Sequence, residues 1–135
     1  MIDQISPNVH ILSRIQGEIF EESVKAGFDS LKFISLFMNS ETAWHLDLPN
    51  HKASWCGKGY IVDEFFRTAT PPSGKTWGSD LMFWIGYIYR FWHYHTGQYS
   101  KDIFESVPPM KMREVYPRIC GFPPREAVRF LSSVS

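Results

Sequence analysis

The segment Trp77 to Tyr99, WGSDLMFWIGYIYRFWHYHTGQY, holds nine of the chain's 22 Phe, Trp and Tyr residues together with Arg90, His93 and His95. Apolar residues recur on nearly every side of the helix this pattern predicts, so protein must surround it. Its few polar groups must then be paired inside the fold, or face a cavity or a partner. With 135 residues the chain is long enough to bury a core without staples. The expectation is one all-α domain over 1–135, a compact bundle of six or seven helices around a central aromatic helix at about 79–97.

Composition narrows the function classes. The chain is 44% hydrophobic and 21% charged, which excludes a mostly disordered protein. Lys plus Arg and Asp plus Glu both number 14, so bulk charge offers no footprint for nucleic acid or an anionic membrane. Positive charge does gather late in the chain, at Lys111, Arg113, Arg118, Arg125 and Arg129. A nucleic-acid interface there ranks last, because no recognition motif accompanies it. Cys56 and Cys120 lack CxxC spacing, so neither a disulfide framework nor a structural zinc site is expected, and a reducing cytoplasm is the simplest compartment. The N-terminus carries no secretory-signal pattern. The apolar run Leu81 to Tyr89 meets Arg90 well short of the ~20 residues a span needs, so no membrane segment is expected.

Along the chain, residues 1–15 form a possible arm or short helix around Pro7. Helical spacing of Ile19, Phe20 and Val24 predicts a helix over Gln16–Ala26, stopped by Gly27. Asp29 or Ser30 caps a second helix, expected to continue past Asn39 and Ser40 into Trp44. Residues 46–59 read as a loop, Tyr60–Thr70 as a helix, and TPPSGKTWG as a second, exposed loop. Ser79 and Asp80 are the expected caps of the aromatic helix and Gly97 its end. A short helix over Ser100–Ser106, one from Pro109 towards Tyr116 and one over Arg125–Ser132 complete the pattern.

Each candidate chemistry has a plainer reading beside it. Ala69 to Thr76 fits a relaxed phosphate loop, but Pro71 and Pro72 remove amide donors and no strand precedes it, so a surface turn is the better reading. His93 and His95 form HxH, yet residues two apart on a helix diverge, and a metal would need a third ligand from His45, Asp47 or His51. No metal and no cofactor is expected; the two histidines are instead expected to hydrogen-bond near the helix C-terminus. Cys56 could be a nucleophile activated by His45 or His51, but a lone cysteine more often fills space. Tyr87, Arg90 and Tyr94 share one helix face by spacing. A buried Arg90 would need a carboxylate, with Asp63, Glu64 or Glu41 the candidates, and would act as a clamp between helices. Glu21, Glu22 and Lys25 read as a solvated face.

LFMNSETAWHLDLP near 36–49, FWIGYIYRFWHYHTGQYSKDIF over 83–104 and the closing PPMKMREVYPRICGFPPREAVRFL together resemble a family of small bacterial proteins with a WIGYxYRxWHYxTG-like core motif. The similarity runs from about Phe33 onward; it departs at Gln98, where the motif has Glu, and in the proline-rich stretch Thr70 to Lys75. The resemblance implies association with operons of toxin-like ADP-ribosyltransferases, hence an antitoxin, immunity or accessory role with a nearby-encoded toxin as partner. It brings no catalytic residues.

Three readings follow. The first is a cytoplasmic protein-binding factor whose anchors are loop-side aromatics, Trp44, His45 and Trp55, with Arg90, Tyr87, Tyr94 and His93 as further candidates. The second is a small enzyme or small-molecule binder using Arg90 with nearby His and Asp residues, which requires an open pocket. The third is the nucleic-acid binder, which requires one contiguous basic face.

Overall fold

A computed structural model describes residues 7–135. Eight α-helices and no extended strand make up the described residues: α1 Pro7–Lys25, α2 Ser30–Met38, α3 Glu41–Asp47, α4 Lys58–Thr68, α5 Ser79–Thr96, α6 Ser100–Ser106, α7 Pro109–Ile119 and α8 Pro124–Val134. A 3₁₀ turn, Lys52–Ser54, interrupts the α3–α4 connection. The all-α bundle built on the aromatic helix is as the sequence predicts, with one helix more than the upper expectation.

The extra helix comes from Ser40. It was expected to lie within a continuous helix, but its hydroxyl accepts the Ala43 amide at 3.1 Å and caps a new one. Thus α2 stops at Met38 and α3 turns away. The first helix is also longer than expected, since Pro7 fits a first turn and the helix runs on from there; residues 1–6 of the possible arm lie outside the described residues. Helix α5 begins after Gly78, which offers no side-chain cap, so Ser79 and Asp80 are first-turn residues and not caps. Gly97 ends α5 as expected: its φ of 83° is left-handed, and its amide donates to the His93 carbonyl at 2.7 Å.

The segment expected as a free loop before α5 is pinned down. Pro72 and Lys75 carbonyls accept the Asp29 and Ser30 amides at 2.8 and 3.0 Å, and the Trp77 amide donates to Ser30 Oγ at 2.8 Å. The Lys75 amide donates to Asp29 Oδ1 at 3.2 Å, so this amide is committed to a carboxylate instead of facing a phosphate. Trp77 is buried, and Arg113 lies over its ring at 4.9 Å.

Helix α5 is the strut, and α1 is its most extensive partner. The two backbones touch through glycine. A Cβ on Gly86 would stand 2.7 Å from the Gln16 carbonyl oxygen and 2.9 Å from Phe20 Cγ; one on Gly17 would stand 2.9 Å from the Phe83 carbonyl oxygen. Each glycine weakens its own helix by about 1 kcal/mol relative to alanine, and the close crossing is what that permits. Beside it, Phe20, Phe33, Phe37 and Phe65 pack with ring centres 5.1–6.3 Å apart, three of the five pairs edge to face. On the far side the buried Tyr89 hydroxyl donates to the Val107 carbonyl at 2.6 Å, and burial pushes its ionisation upward.

Gly86→Ala is expected to destabilise the protein by about 1–3 kcal/mol, because backbone atoms must yield to the new methyl. Gly59→Ala provides the control: Gly59 lies in α4 with open space around its Cβ position, and helix propensity alone should raise stability by up to about 1 kcal/mol. Urea unfolding of the two variants measures both, and equal effects would refute the close-crossing account.

Candidate functional site

Arg90 has no exposed surface. A guanidinium cannot shed its proton on burial, so the fold must answer its charge and its donors. Asp47, at the end of α3, supplies the charge: Arg90 Nη1 donates to Asp47 Oδ1 at 2.7 Å. Nε donates to Gln16 Oε1 on α1 at 2.9 Å, and Nη2 to Ser100 Oγ on α6 at 2.7 Å, with the Ala43 carbonyl oxygen 3.5 Å away. The partners are themselves cross-linked. The Ser100 amide and hydroxyl both donate to Asp47 at 2.8 Å, and Gln16 Nε2 donates to the Gly86 carbonyl at 2.9 Å. Of the two places the sequence left open for Arg90, clamp or pocket, the structure has the buried clamp, but its carboxylate is Asp47 and not Asp63, Glu64 or Glu41. The reason lies in the capped start of α3, which points the C-terminal end of that helix at α5.

The other expected residues divide around this hub. Tyr94 is half-buried, carries the Arg90 guanidinium 5.8 Å over its ring and donates to the Leu46 carbonyl at 3.3 Å. Tyr87 does not join them: its hydroxyl shares a 2.8 Å hydrogen bond with His10 Nδ1 on α1, and its ring stacks with Phe83 and Phe91. His93 is buried, with Nδ1 2.6 Å from the Gln98 carbonyl oxygen and 3.6 Å from Asp47. A carbonyl only accepts, so the proton sits on Nδ1. Trp92 Nε1 donates to Gln98 Oε1 at 2.8 Å; a glutamate there would present the same acceptor. His95 points away, exposed and stacked on Phe91, as the divergence of i and i+2 requires.

Exposed aromatic side chains lie on α3, just before α6 and in the α3–α4 connection. Trp44 is 51% exposed, Trp55 66% and Tyr99 50%. Trp44 and Tyr99 line one open depression of about 230 Å³ with Ser40, Glu41, Lys101 and Asp47. His45 is half-buried on the neighbouring side of α3. Cys56 and Cys120 are free and exposed, so the space-filling reading of Cys56 is overturned. Glu22, read as part of a solvated face, pairs with Lys58 of α4, whose ammonium also reaches Glu18 at 3.3 Å. In the C-terminal basic set, Arg113 covers Trp77, Arg118 lies 5.4 Å over the Phe130 ring and Lys111 pairs with Glu114 at 3.6 Å. Among the described residues no helix is long and apolar enough to cross a membrane.

Compared with known proteins, the chain matches no family model, no curated protein and no solved structure. Its site is defined by its own geometry. The signals that sequence reading missed were Gln16, which spacing alone marks only as a polar residue in α1, and Ser100, whose position just after Tyr99 resembles an ordinary helix start.

Removing one partner of a buried ion pair leaves the other uncompensated and costs about 3–5 kcal/mol. Arg90→Ala and Asp47→Ala are each expected to lose that much, and the double variant far less than the sum. A thermodynamic cycle by denaturant unfolding measures the coupling; additive losses would contradict the clamp. Burial, and then the nearby Arg90 charge, hold the His93 pKa below its ordinary value near 6.5. The unfolded chain then binds the extra proton first, so stability is full above about pH 6.5 and declines as pH falls from there towards the lower folded pKa. Thermal melts between pH 8 and 5 should show this decline, and His93→Gln should flatten it.

Proposed function

We propose that this chain is a cytoplasmic protein-binding accessory factor of bacterial origin, of the antitoxin or immunity kind. The observation that carries the reading is the group of large aromatic side chains left exposed on or beside α3 and at the start of α6: Trp44, Trp55 and Tyr99. Trp and Tyr dominate binding energy at protein interfaces because they bury much apolar area at small entropic cost and keep a polar edge. Glu41 and Lys101 stand beside Trp44 and Tyr99, giving a polar edge to an aromatic patch, the usual arrangement of an interface core and rim. The resemblance in the aromatic helix and its flanks points the same way, towards a partner encoded nearby.

The enzyme reading needs Arg90 to meet a substrate. Arg90 is fully buried and held by Gln16, Asp47 and Ser100, so it presents no surface to one. The nucleic-acid reading needs its cations on one open face, and Arg113, Arg118 and Lys111 are already engaged within the fold.

Co-expressed with the proteins encoded beside it, the tagged full chain is expected to retain one of them in a stoichiometric complex through gel filtration. Trp44→Asp and Trp55→Asp should weaken that complex at least about tenfold, the level of an ordinary interface anchor, with unchanged melting temperature. Elution of the chain alone, under conditions that preserve control toxin–antitoxin pairs, would overturn the reading.

A further inference from the structure

On the side of α3 away from the Arg90 hub, three helical and loop elements bring together His45, His51 and Glu64. One donor atom from each lies within 4.8 Å of the other two. His45 Nδ1 is 3.0 Å from Glu64 Oε2, and the imidazole rings of His45 and His51 lie face to face with centres 3.9 Å apart and planes 11° from parallel. The second carboxylate oxygen, Glu64 Oε1, is buried with no hydrogen-bond partner. The side chains of His45 and Glu64 are only 16% and 15% exposed. A carboxylate oxygen held out of water without a donor is costly, and in a satisfied structure such an atom meets a donor or a cation.

We propose that His45, His51 and Glu64 form a binding site for one divalent transition-metal ion, zinc foremost. Two imidazole nitrogens and a carboxylate oxygen are a three-ligand set that zinc accepts, with its fourth position left to water. The nitrogen majority disfavours calcium and magnesium, which take oxygen ligands. Tetrahedral zinc with nitrogens at about 2.0–2.1 Å places the two ring centres roughly 5 Å apart. The in-plane lone pairs of near-parallel rings do not converge, so on loading the stacked pair must splay by roughly 1 Å and one ring must also turn out of parallel. His51 is the residue able to do this. It sits at the start of the 3₁₀ turn in the α3–α4 connection, and its Nδ1 accepts the Ala53 amide at 3.0 Å. Turning Nδ1 or Nε2 to the metal gives up that bond, and because Ala53 is buried the 3₁₀ turn must shift to give its amide another acceptor. His45 and Glu64, by contrast, are fixed on helices α3 and α4, the rigid half of the site. The expectation that this chain holds no metal is the one this proposal departs from; HxH spacing drew attention to His93 and His95, whereas these ligands come from three separate segments.

Titration of the chelator-treated full-length chain with Co²⁺ at neutral pH tests the site. One equivalent should bind and develop the visible absorption of four-coordinate cobalt, and one equivalent of Zn²⁺ should displace it. Glu64→Gln keeps an acceptor for His45 but removes the charge, and His51→Ala alters only the turn; each should weaken Co²⁺ binding at least tenfold while the helical circular dichroism is retained. Should Glu64→Gln fail to fold, His51→Ala alone decides. Absence of saturable binding overturns the proposal, as does binding that neither substitution affects.

Discussion

A guanidinium with no access to water is the constraint on which the rest of this bundle depends. A buried guanidinium keeps its charge, so every compact arrangement must bring it an anion and acceptors for its donors. Those come from Gln16 on α1, Asp47 on α3 and Ser100 on α6, three elements remote in sequence from one another. Hydrophobic packing alone is tolerant of sliding, whereas this arrangement is not. A shift of α3 by one helical turn, about 5.4 Å, would carry Asp47 out of reach of both Arg90 and the Ser100 amide. The polar centre thus fixes the register of four helices, and the aromatic side chains fill the space that this register leaves.

The same arrangement explains why α3, only seven residues long, matters beyond its size. Its residues alternate between tasks as the helix turns. Ala43 and Asp47 face the buried hub, Trp44 faces solvent, and His45 faces Glu64 of α4. An inert structural contact, an exposed aromatic and one ligand of the proposed metal site therefore lie within one and a half turns of one another. The hub holds this short helix in place, which would otherwise be too short to be stable alone.

How much of this was legible in the sequence depended on whether the cue was local. The aromatic helix, its Gly97 terminus and the Pro109 helix start rest on residues close together in the chain, and were readable; whether Arg90 is buried or lines a pocket was not, since that depends on what packs around it. The break at Ser40 was local too, but its cap lacks the acidic third residue that makes such a start conspicuous, and the reading ran the helix on. Asp47 was not assigned to Arg90 because its approach depends on the direction of α3 after that break. Nor could spacing reveal the glycine crossing at Gly17 and Gly86, since each glycine alone reads as a weakness in its helix. His45, His51 and Glu64 were invisible as a set because three elements must fold before they meet.

The contact between α1 and α5 has a consequence for how the chain reaches this state. Gln16 and Gly86, which touch across it, are separated by 70 positions. At ribosomal rates of roughly 5–20 residues per second, α1 emerges several seconds before the helix it must pack against. Through that interval Phe20 can already pack on Phe33 and Phe37 of α2, but the Gln16–Gly17 edge of α1 has no partner, because its crossing requires the backbone of α5. Assembly of the bundle is therefore a late event in synthesis, and the nascent chain is at its most vulnerable to aggregation and to capture by chaperones before the aromatic helix appears.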